Sequence, residues 1–72
     1  MNFNQRMRNI REDNDETQGK TAEILQITRQ QYQLYESGKR TIPVDLLKIF
    51  CRYYNISADY LLGLIDEPRP IK

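Results

Sequence analysis

The sequence predicts an all-α fold in which five short helices form one compact domain. Apolar residues recur at helical spacings along the chain. Two residue pairs, Asn2 with Gln5 and Thr28 with Gln31, have the spacing of helix-capping boxes. No segment shows the alternation of apolar and polar residues that is typical of a β-strand. The 72 residues are 39% apolar and 29% charged, which is ordinary for a soluble domain with a thin core.

The first two helices are predicted on either side of an acidic run. Phe3, Met7 and Ile10 lie on one face of the first helix, which ends at residues 12–16. This run is expected to be a solvated loop rather than a calcium or hydrolytic site, because its four carboxylates repel one another and lack the ligand spacing of an EF-hand. Thr17 is the predicted N-cap of the second helix. One face of that helix consists of Gln18, Thr21, Ala22 and Leu25.

A very short turn separates the second helix from the third, which begins after Thr28 and runs to about Ser37. Gly38 is expected to end it in a left-handed conformation, which glycine adopts without steric cost. Pro43 is predicted at the first position of a fourth helix, where its missing N–H is not needed, and residues 44–54 carry the broad apolar face of that helix.

The last helix is predicted to begin after Ser57 and to form the end of a domain over residues 1–66, followed by a short tail over residues 67–72. This helix has more apolar surface than so short a segment can bury internally, and part of that surface is a candidate dimer patch. The predicted patch consists of Tyr60, Leu61, Leu64 and Ile65.

Histidine is absent and Cys51 is the only cysteine, which disfavours most small-enzyme chemistry. Triads, Cys-His dyads and ordinary zinc sites each need a histidine or several cysteines. We therefore expect no catalytic residue, metal site or cofactor. A lone cysteine forms no disulfide within the chain and is expected to be a buried thiol. No run of eighteen apolar residues occurs, so a cytoplasmic protein with no membrane partner is expected.

The net charge of +1 gives no overall sign of a polyanionic partner, but the charge is unevenly distributed. Residues 17–52 contain six basic and three acidic residues, a net charge of +3. The positive charge is thus concentrated in the middle of the chain.

Several strings in this sequence stand in an order and spacing that are typical of one family. They are Arg11, Ala22 and residues 17–18, 27–29, 35–40, 42–43 and 55–63. On these strings, residues 7 to about 63 resemble the Cro/phage-repressor (Xre-type, Cro/C1-type) helix-turn-helix family. The resemblance implies a lambda-repressor-like fold whose third helix enters the major groove of double-stranded DNA. It also implies a transcriptional regulator, most simply a repressor that acts by operator occupancy, in which homodimers read palindromic half-sites about one helical turn apart.

Three residues depart from this family pattern. Gln26 stands where the family usually has glycine, in a turn that favours a left-handed backbone, so strain of about 1–2 kcal/mol is expected there. Glu16 and Thr21 replace apolar residues, which is expected to soften the packing between the first two helices. Tyr32 and Tyr35 could supply the missing volume from the inner face of the third helix.

Helical angles of about 100° per residue divide the third helix into two faces. Thr28, Tyr32 and Tyr35 are predicted to point inward, which leaves a glutamine-rich outer face. Arg can pair with guanine and Gln with adenine through two hydrogen bonds each, and an apolar side chain can contact a thymine methyl group. The predicted base-contacting residues are Arg29, Gln30, Gln33, Gln31 and Leu34.

Phosphate contacts are predicted around this helix, where they would position it without reading sequence. Gln18 opens the second helix, and the resemblance implies backbone contacts from the loop that follows the third. The predicted phosphate-contacting residues are Gln18, Thr28, Lys39, Arg40 and Lys20. The resemblance also implies a partly buried salt bridge between Arg11 and Glu36.

Two other functions remain open at this point. An antitoxin-like or other protein-interaction module could be built on the same fold, and the glutamines of the third helix could be no more than a solvated surface. A helix that serves only solubility is usually rich in Glu and Lys, however, whereas this outer face excludes carboxylates. DNA binding is therefore the favoured interpretation.

Overall fold

The computed structural model describes residues 1–71 and contains five helices and no strand within that range. The helices are α1 (Phe3–Asp13), α2 (Gln18–Leu25), α3 (Arg29–Glu36), α4 (Val44–Tyr54) and α5 (Ala58–Leu61). The predicted all-α, five-helix fold is confirmed. The longest helices have 11 residues, and none within residues 1–71 is both long and apolar enough to cross a membrane.

The helix starts follow from side chains that cap free backbone N–H groups. Asn2 and Gln5 form a reciprocal capping box at α1, with hydrogen bonds of 3.0 and 3.1 Å. Thr28 and Gln31 form a second box at α3, also at 3.0 and 3.1 Å. The Thr17 hydroxyl accepts a hydrogen bond from the backbone N–H of Lys20 at α2. Each cap satisfies N–H groups that have no partner within the helix.

The turn between α2 and α3 depends on a left-handed residue. Gln26 has φ 59° and ψ 42°, and the N–H of Ile27 donates to the carbonyl of Ala22 at 3.0 Å to close the helix end. The predicted left-handed backbone at Gln26 is therefore confirmed, and glutamine is not among the residues that adopt this conformation readily. Gly38 has φ +81° after α3, as predicted.

Four expectations about local structure are wrong in whole or in part. α1 ends within the acidic run, as predicted, but Glu12 and Asp13 are its last residues, so the predicted loop is confined to residues 14–16 before the Thr17 cap. Pro43 is the N-cap of α4, because its ψ of 150° is extended and only its carbonyl takes part in the helix. Thr28 is exposed, since an N-cap side chain turns back toward the first turn. α5 is a single turn, because Gly63 adopts φ +81° just after it.

The core lies where α2 packs against α3 and α4 while α1 crosses α3 and α5. Its largest fully buried side chains are Tyr32, Phe50, Met7, Leu25 and Leu61. Thr21 is also fully buried, and its hydroxyl shares a 2.6 Å hydrogen bond with the Tyr54 hydroxyl on α4. A polar contact to α4 thus takes the place of the apolar contact that the family pattern would provide here.

The C-terminal residues are held by one buried arginine on α1 and by the turn after α4. Arg6 donates to the carbonyls of Tyr60 at 2.6 Å and Ile65 at 2.9 Å, and its guanidinium lies 4.4 Å from the centre of the Tyr60 ring. Further along, the N–H of Ser57 donates to the carbonyl of Arg69 at 2.7 Å. Residues 67–71 are therefore not helical but fold back along the domain, and the last residue of the predicted tail, Lys72, lies outside the described residues.

Candidate nucleic-acid interface

α3 has one buried face and one exposed face. Tyr32 and Glu36 are buried and Tyr35 is half-buried, so these three residues fix the helix to the domain. The outer residues Arg29, Gln30, Gln31 and Gln33 are all exposed, and Leu34 is half-buried. The outer face carries amide and guanidinium groups and no carboxylate.

Gln31 differs from the other exposed residues of α3 because its side chain has a structural role. Its Oε1 accepts a hydrogen bond from the backbone N–H of Thr28 in the capping box. Pairing with adenine through two hydrogen bonds would need this same oxygen as an acceptor from the base. Arg29, Gln30 and Gln33 have no such structural hydrogen bond from their side chains within residues 1–71.

A buried ion pair ties α3 to α1. Arg11 donates from Nε and Nη2 to the two carboxylate oxygens of Glu36, at 2.8 and 3.0 Å. Arg11 also donates from Nη1 to the carbonyl of Glu16 at 2.6 Å, so the guanidinium also fixes the end of the α1–α2 connection, next to the N-cap of α2. Two parallel hydrogen bonds between planar groups fix the relative orientation of the helices as well as their distance.

The protonation state of this pair is set by opposing effects. Burial alone would raise the pKa of Glu36, but hydrogen bonds from Arg11 and Gln18 outweigh it, and the pKa of Glu36 lies below its ordinary value. The hydrogen bond to Glu36 raises the pKa of Arg11 in turn. Burial raises the pKa of Tyr32 as well. The Tyr32 hydroxyl lies close to this pair without a well-formed hydrogen bond within residues 1–71.

Gln18 lies at the junction of α1, α2 and α3. It is half-buried, and its Nε2 donates to Oε1 of Glu36 at 3.2 Å. It lines a polar depression of about 240 Å³ together with Arg8, Arg11, Gln33, Glu36 and Ser37. The predicted phosphate-contacting residue therefore also supports the buried ion pair, and the depression reaches the exposed face of α3 at Gln33.

The remaining predicted phosphate-contacting residues are exposed and lie near helix ends. Thr28 is the N-cap of α3, and Lys20 is in the first turn of α2. Lys39 and Arg40 follow the C-terminus of α3, where the N–H of Arg40 donates to the carbonyl of Leu34 at 3.1 Å. This hydrogen bond holds the basic loop against the end of α3.

The four residues of the predicted dimer patch do not form one exposed surface. Tyr60 and Leu61 are only 7% and 1% exposed, because the one turn of α5 directs them into the core. Leu64 is exposed, and Ile65 is half-buried with its carbonyl bound by Arg6. The exposed apolar residues near α5 are instead Val44, Leu62, Leu64 and Ile71.

Comparison with known proteins identifies the family of this chain. Residues 7–61 match the family model described as helix-turn-helix. The chain belongs to the helix-turn-helix family. The resemblance to Cro/C1-type members is thereby confirmed, and the family is one of DNA-binding transcription regulators rather than a class of enzymes.

One relative within the family is an uncharacterised HTH-type transcriptional regulator of Bacillus subtilis (strain 168), YobD, which is 39% identical over 66 residues. The match covers 92% of this chain and 59% of that protein, so the chain spans about three fifths of its relative's length. No solved structure gives a significant match.

Sequence reasoning missed Arg6 as a structural residue. Arg6 stands three positions after Phe3 and four before Ile10, and so falls within the apolar stripe of α1. That position indicates a structural role, because a charged side chain on the core-facing side of a helix needs hydrogen-bond or ion-pair partners once it is buried. Tyr53, whose hydroxyl donates to Oε1 of Glu16 at 2.7 Å, gave no comparable signal.

Proposed function

We propose that this chain is a sequence-specific, double-stranded DNA-binding transcription regulator that inserts α3 into the major groove. The observation that carries the proposal is the outer face of α3, which presents exposed guanidinium and amide groups. The only carboxylate of α3 is Glu36, which is buried and paired with Arg11, so it does not repel DNA phosphates.

The outer residues of α3 divide into different kinds of base contact. Arg29, at the first position of the helix, suits the O6 and N7 acceptors of guanine. Gln30 and Gln33 suit adenine, and Leu34 suits a thymine methyl group. Gln31 is assigned a secondary role, because its side-chain oxygen already serves the capping box.

Phosphate contacts on either side of α3 would set its position on the duplex. The polar depression beside Gln18 and Gln33 can take a phosphate oxygen, since the Arg8 guanidinium and the second N–H of the Gln18 amide, whose first N–H donates to Glu36, offer donors around it. Lys39 and Arg40 serve the C-terminal side of α3, with Thr28 and Lys20 as further contacts. These contacts provide affinity without sequence preference.

Repression would follow from occupancy of a palindromic operator by a homodimer. A single small domain seldom reaches nanomolar specific affinity for DNA. Two copies bound to symmetric half-sites together provide the additional affinity. A bound dimer that overlaps a promoter excludes polymerase by occupying its site.

Selection from a random duplex pool tests this function. The purified chain is expected to enrich a palindromic motif, and its log K should fall steeply as log salt rises. A module that binds only a protein partner would enrich no motif. Recovery of unrelated sequences with equal affinity would contradict specific recognition.

A further inference from the structure

The polar depression between α1, α2 and α3 contains one charged group that no other lining group neutralises. Two arginines and one carboxylate line this depression. Arg11 and Glu36 hold each other through hydrogen bonds of 2.8 and 3.0 Å, so their charges cancel. Arg8 stands three residues before Arg11 on α1, and its side chain is 62% exposed. The net positive charge of the depression is therefore that of Arg8.

Arg8 has a loose ion pair with a carboxylate that does not line the depression. Its Nε lies 3.5 Å from Oε2 of Glu12, one turn further along α1, and the Glu12 side chain is 49% exposed. Hydrogen bonds between a guanidinium and a carboxylate normally measure about 2.7–2.9 Å, so this pair is not tightly joined. Exposed ion pairs of this kind contribute little free energy. Another anion can therefore take the guanidinium from Glu12 at small cost.

The other donors around the depression are engaged within the domain. The hydroxyl of Ser37 donates to the carbonyl of Leu34 at 3.2 Å. Gln18 gives one amide N–H to Glu36, also at 3.2 Å. The guanidinium of Arg11 donates to the carbonyl of Glu16 as well as to its carboxylate partner. Arg8 is thus the cation of this site that remains open to a ligand.

The depression opens beside a side chain that is proposed to read bases. Gln33, on the exposed face of α3, lines it together with Arg8. The phosphates of a duplex border the major groove, so groups that flank a helix inserted in that groove lie close to the backbone. A phosphate supplies the negative charge and acceptor oxygens that a free guanidinium binds best. The position and the charge of Arg8 both suit a backbone phosphate.

From these observations we infer that α1 contributes a DNA contact that a neighbouring carboxylate of the same helix restrains. Arg8 binds a backbone phosphate at the edge of the depression. Glu12 holds the Arg8 guanidinium in the free protein and loses it when DNA binds. Glu12 therefore lowers the affinity for every DNA sequence, because its pair with Arg8 must be broken first. The inference rests on the proposed function and deepens it by adding an acidic residue that limits phosphate binding.

The first test removes the charge of Arg8. On a duplex with one selected half-site, Arg8→Met should weaken binding about five- to tenfold at 0.1 M salt and make the slope of log K against log salt shallower by about 0.9. Binding to an unrelated duplex should weaken by the same factor. Arg8→Lys keeps a charge and should keep most of the slope. Arg52→Met, on the exposed side of α4 away from the depression, should not change it. An unaltered slope in Arg8→Met would overturn the inference.

The second test removes the competing carboxylate. Glu12→Gln should tighten binding to any duplex about two- to fivefold, because the guanidinium is then free before DNA arrives. Asp13→Asn is the matched control, since Asp13 is also exposed and forms no ion pair within residues 1–71, and it should tighten binding less. In the Arg8→Met background, Glu12→Gln should gain no more than Asp13→Asn does. Equal gains from Glu12→Gln with and without Arg8 would contradict the assigned competition. Thermal unfolding of each variant checks that the fold is intact.

Duplexes in which single phosphates are replaced by uncharged methylphosphonates separate failure of this contact from failure of the proposed function. One such replacement beside the half-site should weaken binding of the wild type and have no effect on binding of Arg8→Met. If the wild type loses affinity at some positions and Arg8→Met loses the same affinity at each of them, the function stands and the inference is wrong. If the wild type selects no duplex, the proposed function itself fails, and the phosphate contact of Arg8 fails with it.

Discussion

Arg29 and Lys39 are exposed cations near opposite ends of α3, and they test the two kinds of DNA contact. Arg29→Ala should cost about 1–3 kcal/mol of binding free energy and relax the preference at one base position, because it removes a guanine contact. Lys39→Ala should weaken binding to all sequences alike. Titration against the selected operator and its single-base variants measures both effects. An unchanged base preference in Arg29→Ala would show that α3 is placed wrongly in the groove.

Glu36 tests the ion pair that holds α3 to α1. Glu36→Gln leaves the Arg11 guanidinium buried without its counter-charge, and should lower the free energy of unfolding by about 3–5 kcal/mol at pH 7. Urea denaturation measures the change. Glu23→Gln on the exposed face of α2 is the matched control and should shift stability by no more than about 0.5 kcal/mol.

The pH dependence of the same variant follows from the lowered pKa of Glu36. A carboxyl group whose pKa is lower in the folded than in the unfolded state stabilises the fold above its unfolded pKa, which is near 4.5. That stabilisation is lost as the pH falls through the folded pKa. The stability difference between wild type and Glu36→Gln should therefore shrink when urea denaturation is repeated below pH 4.5. A difference independent of pH would rule out the ionised carboxylate as its source.

The turn between α2 and α3 holds Gln26 in a left-handed backbone conformation, and a substitution can remove the strain that this conformation causes. Gln26→Gly should raise the free energy of unfolding by about 0.5–1 kcal/mol, because glycine adopts the left-handed conformation without the penalty that glutamine bears. Asn55 is the matched comparison, since it is also left-handed but tolerates that conformation, and its side chain accepts a hydrogen bond from the N–H of Ile71. Asn55→Gly should therefore give no gain. Chemical denaturation of both variants decides the point.

The attachment of α5 to α1 depends on Arg6. Arg6→Met keeps much of the side-chain volume but removes the hydrogen bonds to Tyr60 and Ile65, and should cost about 2–4 kcal/mol of stability. Amide hydrogen exchange should quicken first in residues 60–65. Arg8→Met, on the exposed side of α1 with only a surface pair to Glu12, should cost less than about 1 kcal/mol. Similar losses in the two variants would refute the role of Arg6.

The elements that sequence reasoning predicted well are those fixed by local chemistry. The capping boxes at α1 and α3, the Thr17 cap and the extent of α4 depend on residues within a few positions of one another. The contact of Thr21 with Tyr54 spans 33 residues, and the contacts of Arg6 span 54 and 59. Such contacts exist only after the helices pack. The sequence pattern predicts too long an α5 because its apolar residues continue past Gly63, where the backbone adopts φ +81°.

For the whole molecule, the distribution of charge predicts how salt affects DNA binding. If Lys20, Lys39 and Arg40 each neutralise one phosphate, these three residues should contribute about −2.7 to the slope of log K against log salt on a single half-site. A duplex with two half-sites should show about twice that slope, and Lys39→Ala should reduce it by about 1 per half-site. Binding measured over a series of salt concentrations gives these slopes. A slope near zero would exclude phosphate contact by these residues.

Arg6 and the two carbonyls that accept its hydrogen bonds are 54 and 59 residues apart in the sequence, and this separation affects how the domain folds during synthesis. A chain synthesised from its N-terminus presents α1 to solvent before Tyr60 and Ile65 exist. Met7 and Ile10, which face the core from the same helix, can be covered by α3 earlier but reach their full burial only when α5 packs on α1. The domain therefore completes its packing only after residue 65 has emerged from the ribosome. Any nascent fragment that stalls earlier exposes apolar surface to chaperones and proteases.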